Sequence, residues 1–142
     1  MEISDVRKRL RQTIDKAKRD AAERRIRADE AQKAYEEFLE NIATPVFRQC
    51  ATALRAEGHL FVVNTPAGGL RLASERSGED FIELALDTAA DPPAVIARVS
   101  RGRGHRVISM ERPIREGAPV ERLSEEDVLG FLAGEIVAFV VR

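Results

Sequence analysis

The first 44 residues contain neither proline nor glycine, and that absence constrains the fold more than any other feature of the chain. From Ile3 to about Ala43 the sequence is drawn mainly from Ala, Arg, Lys, Glu and Gln, side chains that lose little freedom in a helix. One long helix is expected there, roughly 60 Å from end to end at ~1.5 Å per residue. The first breakers are Pro45 and Gly58.

Within that helix the apolar residues recur in alternating steps of four and three. The series runs Ile3, Arg7, Leu10, Ile14, Ala17, Ala21, Arg24, Ala28, Ala31, Tyr35, Phe38 and Ile42, and only Arg7 and Arg24 break it. A 3.5-residue period is the mark of a narrow coiled-coil edge. Side-chain size is arranged about Arg24. Two copies laid antiparallel would face Leu10 with Phe38, Ile14 with Tyr35, Ala17 with Ala31 and Ala21 with Ala28. Charge follows the same order. Residues 7–27 hold ten Lys or Arg against three acids, a net +7, whereas residues 29–40 hold five acids against Lys33, a net −4. Antiparallel pairing sets base against acid, and flanking charge of this kind selects orientation. The order also opposes the helix dipole, which favours acid first and base last. Self-association is therefore the leading expectation. The same stripe would also serve packing on the chain's own body, or a foreign helical partner.

The 142 residues suffice for one body of about 100 residues beyond the arm. The expected division is an arm over 1–44 and a globular α+β domain over 45–142. Apolar content of 44% with 33% charged residues describes a folded chain with a charged surface. A formal net charge of −1 calls for neither nucleic acid nor anionic lipid. Cys50 stands alone, so no internal disulfide forms, and a reducing compartment is expected. The charged N-terminus carries no apolar secretory core, and no apolar run approaches the ~20 residues that span a bilayer. A cytoplasmic protein is therefore expected.

Beyond the arm, Thr44-Pro45 reads as a cap and first residue of a fresh or kinked helix running to about Glu57, with Gly58 as its terminator. From His59 the period shortens to two. Strands are expected at 59–64, 70–75, 80–87, 94–101 and 106–112, separated by tight turns, which makes an antiparallel meander with one covered face. Ser124 with Asp127 three residues on is a capping-box pattern. It opens a final helix whose last residues, 136–141, also suit a closing strand; helix is preferred. The expected fold is α+β: a long N-terminal helix, a second short helix, a five-stranded antiparallel meander and a C-terminal helix.

The sequence offers little chemistry. Cys50 has apolar helical neighbours and reads as an inert buried thiol. His59 and His105 are the only histidines, and no paired-ligand spacing surrounds either, so no metal or cofactor site is expected. No serine lies in a G-x-S-x-G context, and Gly68-Gly69 and Gly102/Gly104 lack phosphate-cradle spacing. Glu83 and Asp87 share a strand face about 14 Å apart, too far for a carboxylate pair. A non-enzymatic interaction protein is expected. The densest local charge is Arg98, Arg101, Arg103, His105 and Arg106, with Arg112 and Arg115 beyond. It could meet a nucleic acid or an acidic protein partner. No aromatic lies between Phe81 and Phe131 to stack on bases.

Overall fold

The computed structural model describes residues 1–141. The helix starts at Ile3 as α1 (Ile3–Phe38), passes through a π-helical turn at Leu39–Ala43 and continues as α2 (Thr44–Ala56). Thr44 is therefore not the cap of a fresh helix. Its backbone is helical, with φ −61° and ψ −47°, and its N–H bonds to the carbonyl of Leu39, five residues back. Pro45 explains the wide turn. Proline has no N–H, and its ring presses on the carbonyl four residues earlier. One turn of i→i+5 bonding shifts the ladder ahead of Pro45 and lets the rod pass without a break. The helical rod is thus roughly 80 Å long at ~1.5 Å per residue.

The rod stops where the sequence indicates. Gly58 takes φ +87°. The His59 N–H reaches the Leu54 carbonyl at 2.8 Å and the Gly58 N–H reaches that of Arg55 at 3.0 Å, the pair of bonds that defines a Schellman end. Five strands follow: β1 (Phe61–Asn64), β2 (Leu70–Ser74), β3 (Phe81–Asp87), β4 (Ala94–Arg103) and β5 (Arg106–Pro113). They form one antiparallel sheet in chain order, β1-β2-β3-β4-β5. The last hairpin is longer than the sequence indicates. Strand pairing runs out to Arg103↔Arg106, so only Gly104 and His105 turn the chain. Gly104 has φ +64° and His105 does not share the positive sign, as a type II′ turn requires.

The helix α3 (Glu125–Val140) closes the fold, so residues 136–140 are helix rather than strand. Ser124 accepts from the Asp127 N–H at 3.2 Å, and the Asp127 carboxylate accepts from the Ser124 N–H at 2.9 Å. This is the capping box read from the sequence. Pairing places Leu72, Ile82 and Val99 in one row and Leu70, Leu84 and Ala97 in the next, all buried. Helix residues Tyr35, Phe38, Val46, Phe47, Val128 and Leu132 join these strand residues in one core. Phe61 of β1 meets Phe139 of α3 edge-on, with ring centroids 6.0 Å apart. The architecture is α+β.

The other face of the sheet carries a charge ladder. Register aligns Arg71, Glu83, Arg98 and Glu111 across β2 to β5. Glu83 receives Arg71 at 3.2 Å on one carboxylate oxygen and Arg98 at 3.1 Å on the other. Both guanidiniums also lie over the Phe81 ring, 4.0 and 5.2 Å from its centroid. An aromatic on the solvent side of a sheet is thereby buried beneath two cations. Among the described residues, no helix is long and apolar enough to cross a membrane.

Candidate functional site

Two halves of the long apolar edge meet different fates. Ala31, Tyr35 and Phe38 are buried, Tyr35 to 1% exposure, and Tyr35 and Phe38 belong to the chain's own core. The pairing drawn about Arg24 from the sequence is closed to these three residues in the folded molecule. Leu10 cannot reach Phe38, nor Ile14 reach Tyr35, nor Ala17 reach Ala31, without uncovering the core. The reason is geometric. A heptad edge and the stripe by which a helix lies on its own sheet have the same spacing over a few turns, and here Tyr35 and Phe38 run on into Val46 and Phe47.

The N-terminal half is different. Every residue from Ile3 to Glu30 is exposed or half-buried. Ile3, Leu10 and Ile14 are 78%, 57% and 51% exposed, and Ile26 is also exposed. Ala17 is exposed, while Ala21 and Ala28 are half-buried. The rod leaves the body near Arg27 and Glu30, which border a shallow recess with Pro92, Pro93 and Val120. About 40 Å of helix projects beyond that point at ~1.5 Å per residue. None of the ten basic residues of 7–27 enters an ion pair among the described residues.

The arginine cluster near the last hairpin is thinner in space than in sequence. Arg98 is held by Glu83 on the outer sheet face. Arg101, three residues on, points to the opposite face because strand side chains alternate. Arg112 pairs with Glu135 at 2.7 Å and Arg115 lies 3.7 Å from Asp127. Arg103, His105 and Arg106 stay exposed at the hairpin tip, and Arg101 is half-buried. Arg101 and Arg103 line a recess with Ala138 and Val141. The hairpin is fixed at its base by the buried Asp80, whose carboxylate accepts from the Gly102 N–H at 2.9 Å. Ser100 Oγ donates to the Glu79 carbonyl at 2.7 Å. No group of three His, Cys, Asp or Glu side chains converges to hold a metal ion among the described residues.

A cleft that no sequence motif marks lies between α2 and α3. It encloses about 200 Å³ and is lined by Cys50, Ala53, Leu54, Leu129, Ala133 and Ile136, with Leu72 and Leu132 at its floor and Glu57 beside it. Cys50 is half-buried at this wall rather than sealed in the core, and burial pushes its thiol above the ordinary range. The signal for the cleft lies in α3 itself. From Val128 to Val140 the helix holds one charged residue, Glu135, so apolar or small side chains occupy all of its sides. No protein-family model matches the chain, and neither a curated protein nor a solved structure matches it.

Proposed function

We propose that this chain is a non-enzymatic interaction protein that self-associates through the free half of its N-terminal helix. The observation that carries the reading is the row Ile3, Leu10 and Ile14, exposed at helical spacing on a projecting rod. An isolated helix gains nothing by repeating bulky aliphatic residues at that period on a solvated face, and a stripe of this kind is normally covered. Two joined copies would hold two meander bodies at a fixed separation. That arrangement suits a scaffold that bridges two copies of a further protein partner.

Light scattering tests the reading. The wild-type chain at micromolar concentration is expected to have twice the chain mass. Leu10→Glu with Ile14→Glu is expected to give a monomer with unchanged helix content, because both side chains lie outside the core. A wild-type monomer overturns the reading.

The unpaired basic stretch over 7–27 favours one second reading, a nucleic-acid contact along the arm assisted by Arg103 and Arg106. Contacts to phosphate release counterions, so such binding falls steeply with salt and is indifferent to sequence. Fluorescence anisotropy with a labelled duplex at low salt decides it, and absence of binding there removes it.

A further inference from the structure

We propose that the cleft between α2 and α3 receives the N-terminal arm of a second copy of this chain. The inference rests on the self-association reading and names the surface that the arm meets.

The first support is the character of α3. A helix that is apolar on every side is ordinarily buried on every side. One side of α3 lies on the sheet through Val128, Leu132 and Phe139. The opposite side is open, with Leu129 46% and Val137 55% exposed. Ala133 and Ile136 continue the cleft wall from Leu129, while Gly130 and Gly134 lie farther around α3, where an added Cβ meets nothing within 4 Å. The α3 wall of the cleft is therefore apolar, and Ala133 lets a second helix axis come close.

Charge selects the occupant. Residues 124–141 contain Glu125, Glu126, Asp127 and Glu135 and no Lys or Arg; Asp127 and Glu135 are met by Arg115 and Arg112, which leaves Glu125 and Glu126. Glu125 and Glu126 precede Leu129 by four and three residues, so they stand on the cleft side of α3. Neither they nor Glu57 enters an ion pair among the described residues. The arm offers the complement: a net +7 over residues 7–27 around an apolar row. Two arms laid against each other over that stretch set +7 against +7 in either direction. An acidic, apolar cleft removes the repulsion and still covers the row. Leu10, Ile14 and Ala17 recur at steps of four and three, the spacing by which an amphipathic helix seats in a groove.

The chain's own arm cannot be the occupant. It belongs to the same unbroken rod as α2, whose far end forms one wall of the cleft. A helix does not fold back on its own C-terminal end without a turn. A second copy satisfies both surfaces, and if each copy gives an arm and accepts one, the assembly closes as a two-fold pair.

Cys50, the single cysteine, makes a specific test. Wild-type chain is mixed with an Ile14→Cys, Cys50→Ala variant, left to exchange subunits, and oxidised with diamide at alkaline pH. The expected product is a disulfide between Cys50 of the wild-type chain and the introduced thiol of the variant, identified by peptide mass spectrometry. A disulfide only between two introduced thiols overturns the cleft and leaves self-association standing. A dimeric mixture with no disulfide also overturns the cleft. A mixture that light scattering finds monomeric overturns the self-association reading, and the cleft with it. Leu129→Glu supplies an independent measurement. It is expected to weaken the dimer about tenfold or more, from loss of one buried leucine, with unchanged circular dichroism. Unaltered dimerisation in that variant overturns the proposal.

Discussion

Among the described residues, the Tyr35 hydroxyl lies in the core without a hydrogen-bond partner. Burial, and next to it the negative charge of Glu83, push its pKa from 10.0 up to about 12. A buried donor with no acceptor costs roughly 1–3 kcal/mol of desolvation, which removing the group relieves. Tyr35→Phe keeps the ring and its packing. It is expected to raise unfolding stability by about 1 kcal/mol at neutral pH, read by urea denaturation. The pH dependence has a definite sign. A tyrosine is neutral while protonated, the unfolded chain begins to ionise near pH 10, and the folded chain holds the proton until about 12. Folding therefore loses stability as pH rises through that window. The advantage of the phenylalanine variant is expected to grow by roughly 1 kcal/mol between about pH 10 and pH 11. An advantage that stays constant over that interval would show that the hydroxyl does not titrate late. Glu83 itself is held by two arginines, and partial exposure keeps that ladder a modest source of stability.

Among the elements, α3 has the clearest room for stabilisation. Gly130 and Gly134 interrupt a helix whose other interior residues are good formers or apolar, and neither glycine needs its small size within one copy of the chain. Replacing both by alanine is expected to stabilise the isolated chain by about 1–2 kcal/mol, since each glycine costs roughly 0.5–1 kcal/mol in a helix interior. The measurement belongs in the Leu10→Glu, Ile14→Glu background, where association does not contribute. In the wild-type background the same gain is expected with an unchanged dimer, because both methyls lie outside the cleft lining. A dimer weakened by the two methyls would mean that the arm crosses the far side of α3 instead of entering the cleft.

The same elements divide what the sequence reveals from what it hides. The meander, the Schellman end at Gly58 and the Ser124 capping box depend on residues a few positions apart, and local patterns report them directly. The turn at Leu39–Ala43 was hidden because Pro45 favours a helix start as strongly as it disfavours an interior position, and the choice rests on whether the preceding turn can widen. Arg98 and Arg101 are neighbours in sequence, whereas strand alternation and the register to Glu83 separate them. The spacing of Tyr35 and Phe38 suits a partner's edge and the chain's own core equally, and only the folded body decides between them. The cleft needed both α2 and α3 in place. In the sequence the open apolar side of α3 shows only as an unusually wide stripe.

At the scale of the whole molecule, a rod that is half embedded and half free separates folding from association. The core begins at Ala31, so removing the first 24 residues is expected to leave the body's melting transition unchanged while abolishing dimerisation. Salt then distinguishes how copies meet. If the arms paired with each other, their +7 stretches would repel, added salt would screen the repulsion, and the dimer would tighten. If each arm enters the acidic cleft of the other copy, salt screens an attraction and the dimer loosens while its apolar contact persists. Sedimentation equilibrium at about 50 and 500 mM sodium chloride, where the screening length falls from roughly 14 to 4 Å, is expected to give a several-fold weaker dimer at the higher salt. The direction of the change is more informative than its size, because the apolar term responds to sodium chloride only weakly and in the tightening direction. A dimer that strengthens with salt would place arm against arm and leave the open side of α3 without its partner.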